Sequence, residues 1–271
     1  MYELLSARRR TLLDKRLTKR HIVLALVFAL VWVVFGAPAG SLRAQQTLEP
    51  EKLLTCVDNV RNPQGDYALR VKVTSHSPSK EPKTAEYEVL VKGRDKTLIK
   101  TLYPPLDRGT SMLMLGYDLW VHMPTIRQPL RISLQQRLLG EVAYGDIARA
   151  NFSGDYTPSL LDKEPDPATG LLRMELMAKN DQVTYHKVIL WIVPENCRPV
   201  RAEFYAPSGK LLKTCSYEGY QEVEGLLRPC RLVMEDPLKE GSFSVMEYSS
   251  IRSEELPEKF FSKHYMENLR Y

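Results

Sequence analysis

The chain has 271 residues, with 38 Lys and Arg against 33 Asp and Glu. Its basic excess is concentrated at the front. Without residues 1–44 it carries 30 basic and 31 acidic residues, so no clustered basic face remains for nucleic acid.

In chain order, Arg8, Arg9, Arg10, Lys15, Arg16, Lys19 and Arg20 precede an apolar run from Ile22 to Phe35, and small residues follow up to Ala44. This is the pattern of a secretory signal peptide, residues 1–44, with cleavage expected after Ala44. The apolar run is shorter than the roughly 20 residues of a membrane span. No Cys follows it until Cys56, so a lipoprotein cleavage box is absent and no lipid anchor is expected. The expected mature chain, 45–271, is long enough for one large domain.

After Pro50, Leu53, Leu54, Val57 and Val60 recur at helical spacing, and Asn62-Pro63 ends the pattern. Alternating strand-length segments follow: Leu69 to Val73, Tyr87 to Val91, Leu98 to Tyr103, Leu172 to Leu176, Val183 to Val193, Val200 to Ala206, Leu211 to Tyr220, Leu226 to Met234 and Phe243 to Ile251. Turn formers such as Pro207-Ser208-Gly209 and Glu224-Gly225 separate them. Between Gln135 and Leu161 the alternation stops, and a loop with a short helix is expected. A long, partly apolar interruption of a sheet is often a lid or a binding loop.

The stretch Thr110 to Ser133 is the most apolar part of this pattern. Leu130, Ile132 and Leu134 alternate with Arg131 and Ser133, which puts the three aliphatics on one face. An antiparallel pairing of Met123 with Leu130 adds Leu119 and Val121. A three-residue turn at Gly116 to Asp118 would add Leu113 and Leu115, leaving Met112, Met114, Trp120 and His122 opposite. A two-residue turn would instead flip the first run.

The four cysteines are Cys56, Cys197, Cys215 and Cys230, which allow three complete pairings. A two-residue turn at Glu224-Gly225 sets Cys215 opposite Met234, so Cys215 and Cys230 are not expected to bond. There is no Cys-x-x-Cys, no Gly-x-Ser-x-Gly, no His-Glu-x-x-His and no phosphate loop. The histidines are scattered singly, and no nucleophile, base and orienting group converge. The chain therefore reads as a non-enzyme that needs no cofactor.

The order "GTSMLMLGYDLWVHMPTIRQPLRIS", "LLGEVAYGDIARANFSGDY", "LWIVPENCRPVRAEFYAPSGKLLKTCSYEGYQEVEGLLRPCRLVMED" and "ELPEKFFSKHYMENL" resembles the LolA-like family of outer-membrane lipoprotein-sorting proteins. The resemblance implies a mainly β fold: an incomplete, strongly curved antiparallel β-barrel with a few helices covering its concave face. It also implies a periplasmic carrier that shields the acyl chains of lipid or lipoprotein cargo, with an inner-membrane export complex as partner. A sensor of lipid or lipoprotein in envelope stress is the alternative on the same architecture. On this fold the groove lining is expected from Leu113, Leu115, Leu119, Val121, Leu130, Ile132 and Leu134, joined by Met174 and Leu176.

Overall fold

The computed structural model describes residues 49–269. The leader, its cleavage after Ala44 and the start of the mature chain lie outside the described residues.

Pro50 opens helix α1 (Pro50–Arg61), where its missing N–H costs nothing, and α1 buries Leu53, Leu54, Val57 and Val60 along one stripe. A meander follows: β1 (Tyr67–Ser77), β2 (Lys80–Lys92), β3 (Lys96–Tyr103), β4 (Ser111–Leu115), β5 (Asp118–His122) and β6 (Leu130–Ile132). The interruption holds a small hairpin, β7 (Arg137–Leu139) with β8 (Val142–Ala143), and the one-turn helix α2 (Tyr144–Ala148). Strands resume as β9 (Tyr156–Leu160), β10 (Leu172–Ala178), β11 (Lys187–Val193), β12 (Arg198–Tyr205), β13 (Leu211–Val223), β14 (Leu226–Glu235) and β15 (Phe243–Ser253), before the closing helix α3 (Lys263–Glu267).

Thirteen strands form one antiparallel sheet in the order β6-β5-β4-β3-β2-β1-β15-β14-β13-β12-β11-β10-β9. The first and last strands pair at its middle, with Val71 opposite Tyr248 and Val73 opposite Met246. Strands β6 and β9 are left at the two edges, so the sheet does not close into a barrel. Edge β9 lay within the expected loop. Pro158 at its centre hides the strand pattern and also suits it to an edge, where a missing N–H breaks no ladder bond.

The two faces are covered differently. The concave face buries the large core, including Val71, Met114, Leu119, Met174, Leu190 and Met234, beneath α1 and the segment 133–155. On the convex face Ala68, Leu90, Leu98 and Leu113 form a second core with Leu256, Phe261 and Met266 of the C-terminal segment. Trp120 joins this outer core, with the Lys263 ammonium 3.0 Å from its ring centroid.

The β13–β14 hairpin turns on Glu224 and Gly225, both at positive φ, as a two-residue primed turn requires. Cys215 accordingly faces Met234, and both Cys215 and Cys230 are free and buried. Cys56 of α1 is bonded to Cys197 in the β11–β12 turn, with Cα atoms 5.8 Å apart and a sequence separation of 141. On a chain-entropy basis a loop of that size is worth up to about 5 kcal/mol, with about 2–5 kcal/mol the usual cost of losing a native bridge. Mass mapping of the non-reduced protein should find a peptide linking Cys56 to Cys197 and none linking Cys215 to Cys230. Mild reduction should lower unfolding stability by about 2–5 kcal/mol.

Candidate functional site

The concave face carries the larger of the two cores among the described residues, and two covers fill it. The first is α1. Its buried Asp58 accepts the backbone N–H of Phe152, at 3.0 and 3.1 Å to the two carboxylate oxygens, and that of Ser153 at 2.6 Å. Arg228 of β14 donates Nη1 to the carbonyls of Asn59 and Val60 at 2.6 and 3.3 Å, satisfying acceptors at the helix C-terminus where a cation is favoured. The bridge to Cys197 and an Asn62 to Asn151 hydrogen bond of 2.7 Å complete the attachment.

The second cover is the segment 133–155. Lys213 of β13 and Asp146 of α2 form an ion pair with both side chains about 95% buried. Lys213 Nζ also donates to the Glu141 carbonyl at 2.9 Å, and its charge lies 5.0 Å from the Tyr185 ring centroid. Asp146 accepts from Tyr185 Oη at 2.8 Å and from its own helix start at Ala143 N, 2.7 Å. Each buried charge thus has several partners, the condition for such a pair to be tolerated away from water. Further along, Arg149 grips Asp155 with two donors, donates Nη1 to the Gly116 carbonyl at 2.8 Å and stacks on Tyr117. Burial alone would lower the Arg149 pKa, but the Asp155 carboxylate outweighs it and the guanidinium is held more firmly charged.

Close approach fixes the segment as well. A Cβ at Gly145 would run into Thr184, and one at Gly140, which sits at positive φ, into Ser75 and Ser244. Between the covers and the sheet remains a cavity of about 30 Å³ lined by Arg61, Tyr156, Phe204, Tyr217, Leu232 and Met234, enough for one or two waters. The concave face is therefore occupied by its own covers in this structure. Recesses of about 270 and 180 Å³ open beside the lid, sharing Gln135, Tyr185 and Leu212.

The structure places the sequence-predicted lining residues in three groups. Leu119, Val121, Leu134, Met174 and Leu176 lie in the concave core, and Ile132 packs against it. Leu130 shares their side of the sheet through its pairing with Val121, but it is 53% exposed on the edge strand. Leu113 and Leu115 face the other way, in the convex core, and this corrects the expected parity. Leu115 pairs directly with Asp118, so the turn has two residues, Gly116 at positive φ and Tyr117, instead of three. Met112 and Met114 take the concave positions, opposite Val121 and Leu119.

Among the described residues no three of His, Cys, Asp and Glu are grouped to hold a metal. Cys215, which lines the cavity, has its thiol pKa pushed up to about 12 by burial, which removes the thiolate at neutral pH. No described helix is long and apolar enough to cross a membrane. The arrangement is that of a binding protein with a covered interior.

Comparison with known proteins agrees with that class. A protein-family model described as an uncharacterized-protein-like family matches residues 93–268. The crystal structure of a LolA superfamily protein from Nitrosomonas europaea is 43% identical, with a TM-score of 0.75, over 80% of this chain and 98% of that one. A domain from Vibrio parahaemolyticus, described as an outer membrane lipoprotein-sorting protein, aligns at 21% identity and TM-score 0.67, over 81% of this chain and 98% of that one. A DUF1329 family protein from Desulfovibrio piger aligns at 21% identity and TM-score 0.68, over 78% and 95% of the two chains. No curated protein matches. The chain belongs to the LolA superfamily.

The latch gives a measurable expectation. Lys213→Met alone should cost about 3–5 kcal/mol, because it strands the Asp146 carboxylate in the interior. Adding Asp146→Leu should recover much of that loss, and a double-mutant cycle by denaturant unfolding reads the coupling directly.

Proposed function

We propose that this is a periplasmic carrier that shields the acyl chains of a lipid or lipoprotein between the concave face and its covers. The observation that supports it is the filled concave face. It is an aliphatic and aromatic surface closed by a helix and by a lid segment held through buried polar pairs, and such pairs can be broken and remade. Sheltering an acyl chain from water is favourable by about 0.8 kcal/mol per CH₂. Cargo would displace the lid around α2 and take over the contacts that Ile147 and Val142 make with the core, while Phe152 stays tied to Asp58. The LolA membership and the lipoprotein-sorting description of the Vibrio protein point the same way. On this reading the leader at residues 1–44 exports the chain, and an inner-membrane complex would load it.

The reading is tested with a fluorescent fatty acid. The protein should bind it, and the Lys213→Met/Asp146→Leu variant, folded but unlatched, should bind it with a faster association rate. Met114→Ala and Leu113→Ala should each cost about 2–5 kcal/mol of stability. Only the first, on the concave face, should change probe affinity. A parent protein that binds no acylated probe would overturn the carrier reading.

A further inference from the structure

The buried basic groups of the concave site are unequally satisfied. Lys213 has Asp146 and the Glu141 carbonyl. Arg149 has both oxygens of Asp155 and the Gly116 carbonyl. Arg228 gives Nη1 to two carbonyls of α1, and its Nε has no partner among the described residues. Arg61, whose side chain is only 11% exposed, makes one hydrogen bond, from Nη1 to Asp58 Oδ1 at a long 3.2 Å.

A guanidinium carries five N–H donors, so most of those on Arg61 have no acceptor among the described residues. Nor is Asp58 a dedicated counter-ion, since its carboxylate also receives the amides of Phe152 and Ser153. Arg61 is held flat instead, 4.1 Å from the Phe152 ring centroid and 5.6 Å from that of Tyr217, an arrangement that fixes the plane and leaves the donor edges open. The buried Ser153 hydroxyl, on the residue next to Phe152, also has no partner among the described residues. Arg61 lines the cavity, where Phe204, Leu232 and Met234 form an apolar side and the other charges of the wall, Asp146, Arg149 and Asp155, are already paired, Asp146 with Lys213 and Arg149 with Asp155.

A guanidinium with open donor edges, next to an apolar side of the chamber and among charges that are already paired, is complementary to one class of molecule. We infer that Arg61 seats the acid group of an anionic amphiphile, a carboxylate or a phosphate borne next to an acyl chain, with the chain lying along Leu232 and Met234. This rests on the carrier reading and narrows its cargo. The acylated cysteine of a lipoprotein offers amide and ester carbonyls there and no charge, whereas a fatty acid or a lysophospholipid offers an oxyanion that a guanidinium binds through two parallel hydrogen bonds.

Displacement of a neutral fluorescent probe by oleate, oleoyl-lysophosphatidylglycerol and monoolein tests the inference on the unmodified protein. Oleate, the lysophospholipid or both should bind at least tenfold more tightly than monoolein, which has the chain without the charge. Which of the two prevails tells a free acid from a phosphate headgroup. Arg61→Gln should remove that advantage while leaving monoolein affinity within about twofold, and Arg61→Lys should restore part of it. Thermal melts of both variants, read alongside, show whether each is folded. Equal affinity of the parent for monoolein and both anionic ligands overturns the inference and leaves the carrier reading standing. Failure to bind any of the three overturns both.

Discussion

The carboxylate of Asp58 is where the two covers of the concave face meet. It belongs to α1, yet its hydrogen bonds run to the backbone of the lid segment at Phe152 and Ser153, 94 and 95 residues further along the chain. A buried carboxylate is costly unless its lone pairs are filled. Here three N–H contacts and the Arg61 guanidinium fill them, and that demand sets the lid against the helix. Phe152 is thereby delivered over Arg61 and edge-on to Tyr156, and Asn151 to Asn62. The interior that results is walled by side chains from α1, the lid and five or more strands, although no strand supplies more than a few of them.

From this arrangement the division of labour in the site follows. The sheet supplies a surface of fixed shape, because its strands are paired along their length. The covers are tied by discrete polar contacts, and these differ in kind. At α1 a covalent bond and a carbonyl-capping arginine make the attachment durable. At α2 a five-residue helix, too short to be stable by itself, is kept in place by Lys213 and Tyr185 reaching across from the strands. Of the two, the lid is the cover with no covalent tie to the strands among the described residues.

Much of the architecture was legible in the sequence because alternation and turn chemistry are local. The helix after Pro50, the interruption after Gln135 and the primed turn at Glu224-Gly225, with the separation of Cys215 from Cys230 that it imposes, are all read from neighbouring residues. The face of β4 was not. Gly116-Tyr117-Asp118 admits turns of two or three residues, and the choice is made by what lies on the far side of the sheet: Leu256, Phe261 and Met266 need Leu113 and Trp120 as partners. That information sits 140 residues away. The same distance hid the site's polar framework, since nothing near Lys213 announces Asp146 and nothing near Asp58 announces Phe152. An apolar face can be inferred from period, but a buried ion pair is a property of the assembled fold.

The pairing of β1 with β15 has a consequence for assembly. The central seam of the sheet joins the first strand to the last, so each half of the meander can form hairpins as it emerges, but the halves cannot be joined until the C-terminal strand is available. A contact of such sequence separation closes slowly, because nearly the whole chain must be ordered before it is rewarded. Until then β1 is an open edge in the middle of the molecule, with alternating Val71 and Val73 exposed to any other strand. Mispairing is thus a hazard until β15 has docked on β1, and a variant lacking β15 would keep that edge open.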